Sequence, residues 1–164
     1  MGVRAEKVGV GSPAPDFTLP SQSGALVSLK EFLGKRPVVL FFYPKDDSPG
    51  CTRQACAIRD EFEEFAKLDA EVIGISSDSV ASHERFAGSH DLPFTLLSDE
   101  GGRVRQLYGV PKTFGLFPGR VTYVIDERGV VRRVFSSQLG VTRHVEEALR
   151  TLGGIQDQKR SYLE

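Results

Sequence analysis

The sequence predicts an α/β fold in which helices flank a mixed β-sheet. The continuous β-branched and aromatic run at residues 37–43 is typical of a strand buried on both faces, which usually lies in the middle of a sheet. Segments with helical patterns alternate with further short apolar runs. Two of those runs, residues 121–125 and 130–135, are joined by the turn sequence Asp-Glu-Arg-Gly, which predicts a hairpin. The sheet is therefore expected to be mixed.

Caps and apolar periodicity predict the helices. At residues 28–33, Ser28 and Glu31 can form a capping box at the start of a short helix. The other predicted elements are a strand at residues 72–75 and helices at residues 51–67, 80–87 and 142–152. Strands that alternate with helices and end in a hairpin and a helix are typical of an α/β sandwich of the thioredoxin kind.

The length of the chain predicts one domain. With 164 residues, of which 40% are hydrophobic, the chain can bury a core of its own. We expect a single domain over residues 1–164, with a folded core at about residues 9–153. The ends, residues 1–10 and 153–164, are expected to be loose tails.

Composition excludes several classes of protein. The 21 Lys and Arg residues balance 22 Asp and Glu residues without long runs of one charge, so we expect no nucleic-acid or anionic membrane partner. The longest apolar run is far shorter than the roughly 18 residues of a spanning helix, and the first residues lack the apolar core of a secretory signal. We expect a soluble protein. The 2 cysteines are too few and too close for a secreted disulfide framework, which favours a chemical role.

Both cysteines lie on the predicted helix at residues 51–67. Five residues at helical spacing form a stripe that must face the sheet: Cys51, Ala55, Ile58, Phe62 and Phe65. Cys56 is rotated by about 140° from Cys51 around the helix axis. Their Cα atoms would be roughly 8 to 9 Å apart, beyond the ~7 Å limit for a disulfide without backbone movement. A bond between the two thiols would therefore require this helix to unwind.

Cys51 stands in the first turn of this helix, directly after Pro49 and Gly50. Unpaired backbone N–H groups and the positive end of the helix dipole favour an anion there. Because a helix N-terminus promotes the nucleophilic thiolate form of a cysteine, we interpret Cys51 as a nucleophile rather than as a structural thiol. For Cys56, its position alone leaves a reactive cysteine and a stray thiol on a polar helix face equally open.

Residues 43–56, YPKDDSPGCTRQAC, resemble the active site of the peroxiredoxins. The pattern of that family is proline, three residues, threonine or serine, two residues and then the reactive cysteine. Pro44, Ser48 and Cys51 match this pattern in register. The resemblance implies the thioredoxin-like fold and a peroxidase activity that depends on a thiol.

The resemblance extends along most of the chain. Residues 11–17 are similar to the usual opening of these proteins, and residues 119–126 are similar to the strand that delivers the active-site arginine. A second cysteine at Cys56, together with residues 111–115, resembles the subfamily called peroxiredoxin Q or bacterioferritin comigratory protein.

The family resemblance implies catalytic roles for four residues. Pro44 shields the pocket, Ser48 hydrogen-bonds the peroxide, Cys51 attacks it, and Arg120 stabilises the thiolate and the transition state. The chemistry agrees with these roles, because attack of sulfur on the near oxygen of a peroxide builds negative charge on the departing oxygen. Fixed donors are what that step requires.

Three further residues complete the implied site. The backbone N–H of Gly50 adds a donor toward the substrate, Gln54 is a candidate partner of Arg120, and Cys56 resolves the oxidised Cys51. The chain departs from the commoner pattern in two places, with Ser48 instead of threonine and Gln54 instead of glutamate. Both replacements keep a hydrogen-bonding side chain, although serine lacks the methyl group that restricts its rotamer.

The implied reaction reduces hydrogen peroxide and organic hydroperoxides to water or alcohol. It proceeds through a sulfenic acid on Cys51 and an intramolecular disulfide with Cys56, which thioredoxin or a similar dithiol reduces. The resemblance implies a monomeric protein. It implies no cofactor and no metal. The expected compartment is the cytoplasm for a bacterial source and the chloroplast stroma for a plant or alga.

Two other functions stay open at this point. A general thiol-disulfide oxidoreductase would share the fold, but it would place two residues between its cysteines, whereas four separate Cys51 and Cys56. A binding module that lost the chemistry would not need Pro44, Ser48 and Arg120. The histidines show no metal-ligand spacing, and we expect His83, His90 and His144 at the surface without a role.

Overall fold

The computed structural model describes residues 8–110, 112–113 and 117–163. The strands are β1 (Thr18–Pro20), β2 (Leu26–Ser28), β3 (Val38–Phe42), β4 (Glu71–Ser76), β5 (Thr95–Ser98), β6 (Lys112–Thr113), β7 (Phe117–Pro118), β8 (Val121–Ile125) and β9 (Val131–Ser136). The helices are α1 (Pro49–Asp60), α2 (Phe62–Lys67), α3 (Val80–His90), α4 (Arg103–Tyr108) and α5 (Val141–Leu163). Pro111, Phe114 and Gly115, from the segment similar to peroxiredoxin Q, lie outside the described residues.

The central sheet has the strand order β5-β4-β3-β8-β9. β3 pairs in parallel with β4 and antiparallel with β8, so the sheet is mixed, as predicted. All residues of β3 are buried, because a central strand places apolar side chains on both covered faces. The predicted hairpin is the antiparallel pair of β8 and β9.

Two apolar layers cover the sheet. Side chains of β3 alternate between them: Val38, Leu40 and Phe42 enter one layer, whereas Val39 and Phe41 enter the other. The second layer also contains the buried faces of α1 and α5. The helix that carries both cysteines therefore packs on the same face of the sheet as the C-terminal helix, and the two helices contact each other.

The helix predicted at residues 51–67 is divided into α1 and α2. The division falls at Glu61, whose φ of −101° and ψ of 11° leave the helical region. The predicted stripe nevertheless faces the core. Four of its residues are buried and the fifth is partly buried: Cys51, Ala55, Ile58 and Phe65, then Phe62.

The prediction of a loose C-terminal tail is wrong. α5 continues past residue 152 to Leu163. Its last turns are held by Ile155, which packs against the apolar layer, and by Lys159, whose ammonium lies 2.6 Å from the carboxylate of Glu127. The glycines at residues 153–154 have low helix propensity, but these contacts outweigh it. Even with this long helix, none in the described part of the chain is long and apolar enough to cross a membrane.

Short elements account for the other differences. The helix predicted at residues 28–33 is only a 3-10 turn, Leu29–Glu31, where the Glu31 carboxylate accepts the backbone N–H of Ser28 over 2.8 Å. Of the tail predicted at residues 1–10, residues 1–7 lie outside the described residues, and the side chain of Val8 is buried. Strand β5 and helix α4 were not predicted, because four and six residues are too few to show a clear period.

Candidate active site

The loop between β3 and α1 brings the predicted motif to the edge of the sheet. Pro44 is half-buried just after β3, where its lack of a backbone donor ends strand pairing. Asp47 adopts a left-handed turn with φ of 62°, a conformation that aspartate tolerates better than most residues. Ser48 is the N-cap of α1 and Pro49 occupies its first turn. Cys51 therefore stands at the start of a helix, as predicted.

Cys51 is a free thiol that is 2% exposed. Its sulfur accepts a hydrogen bond from Nη2 of Arg120 over 3.3 Å. The guanidinium and the helix N-terminus both place positive charge beside the sulfur. Both can stabilise negative charge that develops at this position during a reaction.

Arg120 is buried immediately before β8. Besides its bond to Cys51, it donates from Nη1 to Oε1 of the fully buried Gln54 over 2.5 Å. The structure therefore places Gln54 beside Arg120, as the sequence suggested. Because the amide of Gln54 is neutral, it orients the guanidinium without neutralising its charge.

Gly50 makes the close approach of Arg120 possible. A Cβ atom at this position would lie 3.1 Å from Nη2 of Arg120. Few real Cβ atoms tolerate so short a contact. The glycine therefore leaves room for the guanidinium beside Cys51.

Ser48 is half-buried and lies one helical turn before Cys51. Its hydroxyl donates to the carbonyl of Lys45 over 2.8 Å. Since its proton is directed to that carbonyl, the oxygen keeps its lone pairs free to accept a hydrogen bond. The hydroxyl oxygen can therefore accept a hydrogen bond from a donor that reaches it.

Cys56 is a free, half-buried thiol on the same helix. α1 runs without interruption from Pro49 to Asp60, so Cys51 and Cys56 share one continuous helix. At about 100° per residue they point to different sides of it. The described conformation is therefore the reduced one, and it keeps the two sulfurs apart.

A buried hydrogen-bond network underlies the loop, and it corrects the prediction that His83 lies at the surface. The carboxylate of Asp46 accepts the Tyr43 hydroxyl over 2.5 Å and the Ser82 hydroxyl over 2.8 Å. Its Oδ2 also lies 2.7 Å from Nδ1 of His83, whose Nε2 faces the carbonyl of Leu97 at 3.0 Å. Burial and the neighbouring Asp46 raise the pKa of Tyr43 well above its usual value. The network ties the loop to α3.

The sequence contains a pattern that indicates a buried position for His83, although the prediction placed this residue at the surface. His83 lies three residues before the buried Phe86, so both belong to the inward stripe of α3. A histidine on a buried stripe requires polar partners. Asp46, in the middle of the matched motif, is that partner.

One cluster in the described part of the chain could be taken for a metal site. Asp46, Asp78 and His83 each offer a ligand atom within 4.8 Å of the others. Asp78 Oδ2 already accepts the Ser76 hydroxyl over 2.6 Å and the backbone N–H of Asp46 over 2.8 Å. The 2.7 Å between Asp46 and His83 is a hydrogen-bond distance, shorter than the roughly 3.3 Å between two ligands of a tetrahedral ion with ~2.0 Å bonds. The cluster is arranged for hydrogen bonding.

His144 is also buried, contrary to the prediction. Its Nε2 lies 2.7 Å from the carbonyl of Ser137, so this nitrogen carries the proton, and Nδ1 accepts from the Thr122 hydroxyl over 2.8 Å. Burial lowers the pKa of His144 to about 4, opposed by the Ser137 hydrogen bond and aided by the charge of Arg120. The ring is therefore neutral. His90 is partly exposed and lies 3.8 Å from Asp47.

Comparison with known proteins gives a consistent result. The sequence profile of the AhpC/TSA family matches residues 10–134. A chloroplastic peroxiredoxin Q of Triticum aestivum is 53% identical over 155 residues, which cover 94% of this chain and 71% of that protein. The chloroplastic peroxiredoxin Q of Arabidopsis thaliana is 55% identical over 152 residues, which cover 92% of this chain and 70% of that protein.

Comparison with solved structures indicates the same family. Peroxidoxin BcpB from Mycobacterium tuberculosis superposes with a TM-score of 0.84 at 40% identity, covering 90% of this chain and 98% of that one. The bacterioferritin comigratory protein of Xanthomonas campestris gives a TM-score of 0.80 at 27% identity, covering 90% and 96%. The buried thiol at a helix start, hydrogen-bonded by an arginine, is compatible with the chemistry of a thiol peroxidase. The chain belongs to the AhpC/TSA family, in its peroxiredoxin Q group, and is a thiol-dependent peroxidase with a thioredoxin-like fold.

Proposed function

We propose that Cys51 is the residue that attacks the peroxide. Its thiolate forms a bond to the near oxygen, the O–O bond breaks, and the departing oxygen leaves with the electron pair and takes a proton to become water or an alcohol. Cys51 is oxidised to a sulfenic acid. The observation that carries this proposal is the hydrogen bond from Arg120 to the Cys51 sulfur over 3.3 Å.

The neighbouring residues are assigned supporting roles. Arg120 and the backbone N–H of Gly50 stabilise the charge on the departing oxygen. Ser48 accepts a hydrogen bond from the peroxide O–H, in keeping with the bond from its own hydroxyl to Lys45. Pro44, half-buried after β3, limits access of water. Gln54 holds Arg120 in place through its amide oxygen.

Cys56 then resolves the sulfenic acid. Its sulfur attacks the sulfur of Cys51, the S–O bond breaks, and the hydroxide takes a proton and leaves as water. The product is an intramolecular disulfide between Cys51 and Cys56. Because both residues lie on the continuous helix α1, this step requires the first turns of that helix to unwind.

A dithiol of the thioredoxin type returns the enzyme to its starting state. One of its thiolates attacks the disulfide and forms a mixed disulfide, and its second thiol releases the reduced protein. We propose that thioredoxin is this reductant and that the protein acts as a monomer. The relatives of Triticum aestivum and Arabidopsis thaliana are named chloroplastic, which supports the stroma for a plant or algal source; for a bacterial source we propose the cytoplasm.

Hydrogen peroxide and organic hydroperoxides are the proposed substrates. Alkyl peroxide reduction is an activity of the bacterioferritin comigratory protein of Xanthomonas campestris, which supports the organic class. A general thiol-disulfide oxidoreductase is less compatible with the site, since a protein disulfide would have to reach a sulfur that is 2% exposed.

One coupled assay separates the two functions. We expect the protein to consume hydrogen peroxide with stoichiometric oxidation of thioredoxin, and not to reduce insulin disulfides. Mass spectrometry after one equivalent of peroxide should show loss of two hydrogens, the mass change of an intramolecular disulfide. Insulin reduction without peroxide consumption would reverse the assignment.

A further inference from the structure

Arg105 is a second buried arginine near the site, outside the motif segments at residues 11–17, 43–56, 111–115 and 119–126. It lies on the short helix α4 and is 7% exposed. Arg103, two residues earlier on the same helix, is exposed. Burying a guanidinium is costly unless its donors are satisfied, so the position of Arg105 calls for a physical reason.

The guanidinium of Arg105 joins the two segments that carry the active site. Nη2 donates to the carbonyl of Tyr43 over 2.9 Å, and Nη1 donates to the carbonyl of Gly119 over 3.3 Å. Tyr43 immediately precedes Pro44, and Gly119 immediately precedes Arg120. One rigid, planar group therefore sets the distance between the loop before Cys51 and the arginine that contacts its sulfur.

Helix α4 holds Arg105 in this position. The carboxylate of Asp99 accepts the backbone N–H groups of Val104 over 3.2 Å and of Arg105 over 3.0 Å. The same carboxylate does not form an ion pair with the guanidinium. Among the described residues, no carboxylate lies within ion-pair distance of the Arg105 side chain.

The charge of Arg105 is therefore buried beside the site without a contacting counter-ion. Burial lowers the pKa of Arg105 below its ordinary value, whereas negative charge on Asp99, Cys51 and Asp78 acts in the opposite direction. An arginine keeps its proton at neutral pH even so. The carboxylate of Asp99 already accepts two backbone N–H groups. Of these negatively charged groups, the thiolate of Cys51 is the one that reacts.

We propose that Arg105 is a positioning residue for peroxide reduction, which fixes the Pro44 and Arg120 segments through two backbone carbonyls and adds a second positive charge to the field at Cys51. The proposal rests on Cys51 as the nucleophile. It differs from the role of Arg120, because Arg105 donates to backbone carbonyls, whereas Arg120 donates to the sulfur of Cys51. Its loss should alter both the ionisation and the reactivity of Cys51 without removing a direct contact.

Two substitutions separate the effects of charge and geometry. Arg105→Met keeps an apolar stem of similar length and removes the charge and both hydrogen bonds. Arg105→Lys keeps the charge but cannot span both carbonyls as a planar group does. Arg103→Met, the same change at an exposed site on the same helix, is the matched control.

The measurements are the ultraviolet absorbance of the thiolate against pH and the single-turnover rate with hydrogen peroxide. We expect Arg105→Met to form the thiolate at a higher pH than the wild type, because a buried positive charge near the site is lost. Its rate at pH values where the thiolate is complete should fall about tenfold, since small misplacements of fixed donors are costly. Arg105→Lys should ionise as the wild type does but react about threefold to tenfold more slowly.

The control and the reference variants decide the interpretation. Arg103→Met should match the wild type in both measurements. If Arg105→Met folds and also matches it, the proposal is wrong. Should Arg105→Met not fold, Arg105→Lys still decides, because wild-type reactivity in that variant would overturn the positioning role. If Cys51 were not the nucleophile, the result would be different from all of these, because the wild type would then react with peroxide no faster than Cys51→Ser.

Discussion

Nη2 of Arg120 lies 3.3 Å from the sulfur of Cys51, although 69 residues separate them in the chain. The register of the sheet explains the contact. β8 pairs antiparallel with β3 so that Val121 lies opposite Phe42. The residue before β8 is thereby placed beside the loop that follows β3, where α1 begins. The sheet, rather than local sequence, brings the charge to the thiol.

Replacing Arg120 with alanine should impair the reaction in two ways. The thiolate should appear at higher pH, because a contacting positive charge is lost. At pH values where the thiolate is complete, attack should still be slower by about ten- to a thousandfold, the scale for one transition-state donor. Stopped-flow single turnovers across pH measure both effects. Arg128→Ala, an arginine whose side chain is 82% exposed, is the control. Full recovery of the rate at high pH would show that Arg120 affects only the ionisation of Cys51 and does not stabilise the transition state.

Gly50→Ala should slow peroxide attack without changing any donor or charge. The added Cβ would meet Nη2 of Arg120 at 3.1 Å and push the guanidinium away from Cys51 by a few tenths of an ångström. We expect a loss of about tenfold in the single-turnover rate, since a ~1 Å misplacement costs about a hundredfold. Gly88→Ala, on α3 with nothing within 4 Å, is the matched control. Equal rates in the two variants would show that Arg120 adjusts freely.

The two cysteines should divide the chemistry between them. Cys51→Ser should abolish peroxide reduction, because only Cys51 has both the helix start and Arg120. Cys56→Ser should react once and stop as a sulfenic acid, and excess peroxide should then oxidise it to the sulfinic acid. Mass spectrometry identifies each product. First-turnover rates that are equal for the wild type and Cys51→Ser would contradict this assignment.

The sequence allowed the motif, the central strand and the inward face of α1 to be predicted, because each has a local signal. Pro44, Ser48 and Cys51 lie within one short segment, and β3 is a continuous apolar run. The stripe from Cys51 keeps its helical spacing through the break at Glu61, since that break does not shift the inward face.

The polar groups behind the site could not be predicted in the same way. Arg105 donates to the backbone carbonyls of Tyr43 and Gly119, and a backbone acceptor cannot be recognised from residue types in the sequence. Asp46 and His83 lie 37 residues apart and meet only when α3 packs on the sheet. Such contacts depend on tertiary distance, whereas periodicity describes only one element at a time.

His144 should make the protein less stable in mild acid. Its pKa of about 4 lies below the ordinary value of 6.5, so between these values the unfolded chain binds a proton that the folded protein does not. Stability from this group is therefore present at neutral pH and decreases as the pH falls from about 6.5 towards 4, by on the order of 3 kcal/mol in total.

Urea unfolding at pH 7 and at pH 5 tests this linkage. His144→Gln removes the titrating group, so this variant should lose less stability between the two pH values than the wild type, even if it is less stable at both. His90→Gln, at a partly exposed histidine, should behave as the wild type does. An unchanged pH dependence in His144→Gln would assign the acid sensitivity to other groups.

Formation of the disulfide should unwind the first turns of α1. In the reduced protein Cys51 and Cys56 lie on one uninterrupted helix, too far apart to bond. The apolar anchors of this helix are Ala55 and Ile58, and its C-terminal end is tied by Arg59, which donates to the carbonyl of His90 over 2.7 Å. Closing a short loop between the sulfurs costs little entropy. Unwinding before Arg59 is therefore the least costly route.

Amide hydrogen exchange in the reduced and oxidised states measures this change. Residues 51–59 should lose protection on oxidation, because their helical hydrogen bonds open. α2, Phe62–Lys67, serves as an internal control, since Glu61 separates it from α1 and the buried Phe65 holds it on the sheet. If residues 51–59 were equally protected in both states, the bond would have to form without unwinding. Cys56 would then be a partner of Cys51 from another chain, and the oxidised protein would migrate as a covalent dimer without reductant.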